Sequence, residues 1–312
     1  MEIKCEQMPY SAVIAEIKAH LQIIGTDVVI FHIDIDGTIT IDDLTGRQPD
    51  KDALRNEFLA KSSFGKAVAD VWKLKETDRM IAGPGEISYY EHCRKQFPGP
   101  ENETRLKEIT SKFATTAGSA MASEYRAMVA NTQNLIFDSF HLLVAEFPKA
   151  KFVFCTFGST GPKVIAELCR LRYTTPNATP EFEIAVTDRG RRVIRDRIGG
   201  FGMSFPQFNK FVSTHEQQFF LVQANFKFWN DSGRRPEFGK FVLGEPGYAH
   251  IVFDDIAPKC WSSDGPMVSI RHISTFGACT DTQYFVREAA KALTDLAREK
   301  KERERALVTD SD

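Results

Sequence analysis

The chain lacks any paired-cysteine motif: Cys5, Cys93, Cys155, Cys169, Cys260 and Cys279 are scattered singly, with no CxxC among them. That argues against zinc ribbons and thiol-redox motifs and suits reduced thiols acting as small apolar residues. No apolar run approaches the roughly 18 residues of a spanning helix, so no membrane segment is predicted. Residues 1–7 carry mixed charges and no apolar block, so no secretory leader is read there and a cytoplasmic chain is expected. An excess of one charge sign is also missing, since 40 basic residues face 42 acidic ones and the pI is near 6.4. There is thus no electrostatic case for obligate binding to nucleic acid or a membrane surface. Internal repeats and low-complexity tracts are absent too. What is present is 312 residues, 42% hydrophobic and 26% charged, enough for one sizeable core and an accessory domain.

Along the chain, apolar residues at helical spacing predict a helix over 10–24, closed by Gly25. Nearly continuous apolar runs predict core strands over 28–33, 151–157, 248–253 and 267–273, the pattern of a parallel sheet covered on both faces. Helices are read over 134–147, 162–171 and 282–301, the last running into a charged, frayed tail. The alternating stretch 39–49 reads as a flap hairpin, and 51–126 as a mostly helical insertion after it. Residues 180–229 mix β-like runs (182–186 and 219–229) with an arginine-dense stretch, DRGRRVIRDR, and read as a second insertion.

The most informative stretch is VVIFHIDIDGTIT, residues 28–40, where a buried strand delivers Asp34 and Asp36 and is followed at once by Gly37. Two carboxylates this close repel, and near an apolar interior they require a cation or a shared proton. Strand alternation puts both on one side, and the glycine lets the chain curl so that they face one point. One carboxylate can then attack phosphorus while the other moves a proton. Two further strands end in polar residues, at Thr156 and at Asp254 and Asp255. Open α/β sheets bind ligands at the carboxyl ends of their strands, so these residues can meet in one crevice. Each motif taken alone also has a bland reading, as a helix cap or a turn former.

In this order the motifs resemble the haloacid dehalogenase superfamily, in its aspartate-nucleophile phosphatase branch. The likeness covers 28–40, 151–157, a lysine ahead of the last motif, and 251–255. It implies a doubly wound, mainly parallel, Rossmann-like α/β core over 1–50 and 127–312, with residues 51–126 as a helical cap. It implies Asp34 as the nucleophile that forms an aspartyl-phosphate and Asp36 as the general acid and base. Mg²⁺ would be held by Asp34, the Asp36 carbonyl and the late acid, with Asp255 the direct ligand and Asp254 acting through water or in its place. Thr156 would hold a phosphate oxygen, helped by the N–H groups of Phe157 and Gly158. Lys240 is the favoured phosphate lysine, with Lys227 as the alternative.

Asp36 argues against halide displacement, which needs no proton donor. A phospho-relay receiver has its acid pair first and its lysine last, an order this chain does not follow. The expected activity is Mg²⁺-dependent phosphomonoester hydrolysis. Its rivals are a phosphotransferase or phosphomutase with the same motifs, and a non-catalytic binding protein that keeps the fold. The expected substrate is a phosphorylated small molecule; the arginine-dense stretch leaves a phosphoprotein or a nucleotide open.

Overall fold

A computed structural model gives the architecture and describes residues 8–41, 50–76, 79–175, 179–186, 192–197, 200, 202–257, 259–262 and 267–309. Its centre is β1 (Val29–Ile33), whose five residues are all buried. The strands that join it are β2 (Lys151–Thr156), β3 (Glu181–Val186), β4 (Arg192–Asp196), β5 (Gly202–Met203), β6 (Phe219–Gln223), β7 (Ala249–Asp254) and β8 (Val268–His272). The order across this eight-stranded sheet is β8-β7-β1-β2-β6-β3-β4-β5. Every pairing from β8 to β3 is parallel, and β4 and β5 extend the edge in antiparallel fashion. The α/β class and the mainly parallel sheet thus agree with the sequence.

Successive side chains of a strand point to opposite faces, and the buried residues divide accordingly. Val29, Phe31 and Ile33 join one apolar cluster with Phe152, Phe154, Ile251 and Phe253. Ile30, Val153, Cys155, Val222 and Val252 join another on the opposite face. The first face is covered by the helices Tyr10–Ile24, Asp138–Glu146, Gly161–Arg170 and Tyr284–Thr309. The second is covered by the helix Phe205–Thr214, by Trp229 and residues 241–243, and by Ala257, Cys260 and Trp261. Helices on both faces are what allow near-continuous apolar strands.

Several elements differ from expectation. Between 51 and 131, helices are joined by a three-stranded antiparallel sheet of Phe64–Val68, Val71–Leu74 and Ile87–Ser88. Its hairpin turns through Ala69 and Asp70, both at positive φ, so the usual Asn-Gly or Asp-Gly signal is missing. The segment expected as an insertion at 180–229 contributes β3, β4, β5 and β6 to the main sheet itself. The β-like run 219–229 splits: β6 ends at Gln223, and Asn225 caps a helix over Phe226–Asp231 by accepting from Phe228 N. The last helix continues to Thr309, supported by the pairs Arg303–Glu299 and Lys300–Glu304 at i,i+4 spacing. The flap tip, 42–49, and the arginine run over 187–191 lie outside the described residues. Among the described residues, no helix is long and apolar enough to cross a membrane.

Phe31 is the keystone of the first face, fully buried with the Phe152 and Phe253 rings stacked beside it and Phe147 edge-on at 5.1 Å. Phe31→Ala is expected to cost about 3–5 kcal/mol by leaving a cavity that the neighbouring rings cannot fill. Urea denaturation checks this, with a lower midpoint and an unchanged slope as the expected result.

Candidate metal and catalytic centre

Between neighbours β1 and β7 the connections change sides, since the chain leaves β1 towards β2 on one side and leaves β7 towards β8 on the other. Ligand crevices in open α/β sheets lie at such points, beyond the carboxyl ends of the strands. Asp34 follows β1 directly, and its N–H donates to Phe253 O of β7 at 2.9 Å. Asp254 is the last residue of β7, fully buried, and Asp255 follows it. Oxygen atoms of Asp34, Asp254 and Asp255 all lie within 4.8 Å of one another, so these three side chains could hold a metal ion.

Lys240 sits among them with 1% of its surface exposed. Its Nζ lies 2.7 Å from Asp34 Oδ1 and 2.7 Å from Asp254 Oδ2. The lysine is held in register because Lys240–Phe241 pairs in parallel with Trp261–Ser262, and Lys240 N donates to Cys260 O at 2.7 Å. The segment beyond it rests on two buried histidines. Leu243 N donates to His32 Nδ1, which leaves the His32 proton on Nε2 to donate to His250 Nδ1 at 3.2 Å; His250 Nε2–H then donates to Glu245 O at 2.9 Å. Both rings work as neutral imidazoles in this chain; burial pushes His32 well below its ordinary value and lowers His250 as well.

The adjacent acids are held differently. Asp254 Oδ2 accepts from Lys240 Nζ, from Trp261 Nε1 at 2.7 Å and from the Cys260 thiol, while Oδ1 accepts from Ile256 N at 2.8 Å. Burial raises the Cys260 thiol, which keeps it a donor. Asp255 turns the other way, towards the glycine turn. Its N–H donates to Thr38 Oγ1 at 3.1 Å, and a Cβ on Gly37 would lie 2.7 Å from its Oδ2. Gly37 has φ +76, so the turn needs glycine both for its backbone and for the space beside Asp255.

Asp36 lies against the loop after β2, where a Cβ on Gly158 would collide with Asp36 Oδ2. Thr156 is buried, and its Oγ1 accepts from Gly158 N at 2.9 Å. Phe157 turns its ring towards the lysine, with the centroid 5.1 Å from Lys240 Nζ. The strand ends and adjoining loops thus bring together Asp34, Asp36, Thr156, Phe157, Lys240, Asp254 and Asp255. Lys227 is not among them: it is exposed on the helix Phe226–Asp231 and pairs there with Asp231. Sequence reading missed Trp261, Cys260 and the His32–His250 pair. None carries a local signal, because each acts through a partner distant in sequence or lies outside any motif.

With all three carboxylates ionised, the single ammonium would leave two negative charges in excess in a largely dehydrated place. Burial, opposed by Lys240 and reinforced by Asp254 and Asp255, pushes Asp34 up to about 7. Burial and the neighbouring Asp254 raise Asp255 as well. An all-oxygen donor set with excess negative charge fits a hard divalent cation. No protein-family model, curated protein or solved structure matches the chain.

These shifts have a sign that denaturation can read. An unfolded aspartate titrates near its ordinary value of about 4, whereas folded Asp34 does so near 7. At Asp34 the folded state therefore holds more protons between those values, and this contribution to stability is lost as pH rises through that window. The buried His32 and His250 act with the opposite sign at low pH, so the Asp34 contribution is read as a difference: between about pH 5 and about pH 8 the metal-free parent is expected to lose denaturation midpoint relative to metal-free Asp34→Asn. Adding a divalent cation at the higher pH is expected to recover most of the difference; a flat, cation-independent profile would contradict the charge assignment.

Proposed function

We propose that the protein is a Mg²⁺-dependent phosphomonoester hydrolase of the haloacid dehalogenase type, acting through an aspartyl-phosphate on Asp34. The observation that carries this reading is the placement of the Lys240 ammonium between Asp34 and Asp254, with Asp255 alongside and Asp36 and Thr156 in the same crevice. Phosphoryl transfer spreads charge over three peripheral oxygens, and so calls for a fixed cation, hydroxyl and amide donors, and a nucleophile in line. Mg²⁺, held by Asp34, Asp255 and the Asp36 carbonyl, would offset the excess negative charge and help orient the phosphate oxygens.

In the first step an Asp34 oxygen attacks phosphorus, the ester P–O bond breaks, and Asp36 gives its proton to the departing oxygen. In the second, Asp36 takes a proton from water, whose oxygen attacks phosphorus. The P–O bond to Asp34 then breaks, releasing inorganic phosphate and restoring the carboxylate. Lys240 steadies the charged nucleophile and donates to a phosphate oxygen. The Thr156 hydroxyl and the N–H groups after it receive the others. Asp254, whose oxygens are already taken up by Lys240, Trp261, Cys260 and Ile256, serves to hold Lys240. Asp255, held from its backbone side by Thr38, is the acid left to bind the ion.

The test is release of inorganic phosphate from a panel of phosphate esters, with and without Mg²⁺. Asp34→Asn is expected to abolish turnover while keeping the far-ultraviolet circular dichroism of the parent. Asp36→Asn is expected to slow both half-reactions by roughly 10²–10⁴, the usual yield of positioned acid–base catalysis. Wild-type rates in Asp34→Asn would refute the nucleophile. Transfer of labelled phosphate to an added alcohol in preference to water would make the protein a phosphotransferase.

A further inference from the structure

The rim beside Thr156 carries an aromatic cluster that the acid and lysine site does not use. β6 lies next to β2 in parallel register, Thr156 opposite Gln223, so the chain after each strand emerges at the same rim. Ala224 N donates to Thr156 O at 2.8 Å, and the capped helix Phe226–Asp231 begins two residues later. This brings three rings together. Phe157 stacks on Trp229 at 4.9 Å with 18° between planes, and meets Phe226 edge-on at 5.7 Å and 75°.

The cluster is not a finished packing layer. Phe226 is 48% exposed, although its partners are largely covered. Trp229 is 5% exposed, and its Nε1 has no hydrogen-bond partner among the described residues. A single exposed phenylalanine is ordinary. An exposed ring continuous with a buried indole that lacks an acceptor, beside the acid and lysine cluster, is a more specific combination, because buried N–H groups without partners are costly and uncommon. The distances also fit a small ester. Lys240 Nζ is 5.1 Å from the Phe157 centroid and Phe226 is 5.7 Å from the same ring, so Phe226 stands no farther from the lysine than those two distances together.

We infer that Phe226, backed by Phe157 and Trp229, is a stacking subsite for a planar ring carried by the alcohol portion of the ester. This rests on the phosphoester reading and adds the substrate's chemistry: a ring-bearing monophosphate rather than an aliphatic one. Two sources share that chemistry, nucleoside 5′-monophosphates and aryl phosphates.

The experiment is calorimetric titration of full-length Asp34→Asn with Mg²⁺ present, comparing adenosine 5′-monophosphate with ribose 5-phosphate and 4-nitrophenyl phosphate with glycerol phosphate. Stacking on an aromatic side chain predicts at least about tenfold tighter binding for the ring-bearing member of one pair. In Phe226→Ala that ratio is expected to fall about tenfold, and Phe226→Tyr to restore it. A preference confined to one pair assigns the source. Equal affinities within both pairs, a ratio that survives Phe226→Ala, or no binding of any of the four overturns the subsite. Hydrolysis of the four compounds by the parent protein is measured separately. A ring preference without hydrolysis leaves the subsite standing and removes the hydrolase reading; hydrolysis without a ring preference does the reverse.

Discussion

One buried ammonium organises this molecule. Lys240 Nζ touches Asp34 at the end of β1 and Asp254 at the end of β7, and so ties the carboxyl ends of these two neighbouring strands together. A lone charge in that place would be prohibitive, and even a pair offsets its desolvation only with good geometry and further hydrogen bonds. The surroundings supply them. Trp261, Cys260 and the Ile256 N–H complete the shell of Asp254, and the strand pairing of Lys240–Phe241 with Trp261–Ser262 fixes where the lysine starts. The His32–His250 chain holds the segment just beyond it. Since removing Lys240 would leave Asp34 and Asp254 buried without their cation, the cluster constrains the fold around it.

The neighbouring acids illustrate how strand geometry separates roles that a sequence presents as one motif. Asp254 still belongs to β7, and its side chain points into the face where Lys240, Cys260 and Trp261 lie. One residue later the alternation sends Asp255 towards Thr38 and Gly37. The first acid is consumed by protein donors. The second keeps room beside the glycine turn, which is why its burial leaves an electrostatic debt that a cation would settle. A single step along the chain thus converts an anchor into a candidate ligand.

Much of the sheet was legible because burial on both faces forces a continuous apolar run, which the sequence displays at β1, β2 and β7. The acids stood out for the same reason, as charges at the ends of such runs. What escaped was decided by contacts between distant segments. The hairpin at 64–74 turns through Ala69 and Asp70, residues without the turn signature. β6 slots between β2 and β3 although β3 precedes it in the chain, an order that no local pattern announces. The aromatic richness of 219–229 imitated one long strand, and only the Asn225 cap divides it into strand and helix. Trp261 and the histidine pair matter through their partners, so their residue types alone gave nothing to read.

That late insertion of β6 carries the last consequence. Because the strand returns to the sheet beside β2, the helix after it is delivered to the rim where Thr156 and Gly158 already lie. Had the segment stayed an excursion away from the sheet, the rings of Phe226 and Trp229 would have no reason to meet Phe157. The topology therefore joins a polar half, built from the ends of β1, β2 and β7, to an apolar half built from the end of β6. Charge on one side and aromatic surface on the other would suit the proposed ester, an anionic group linked to a flat one.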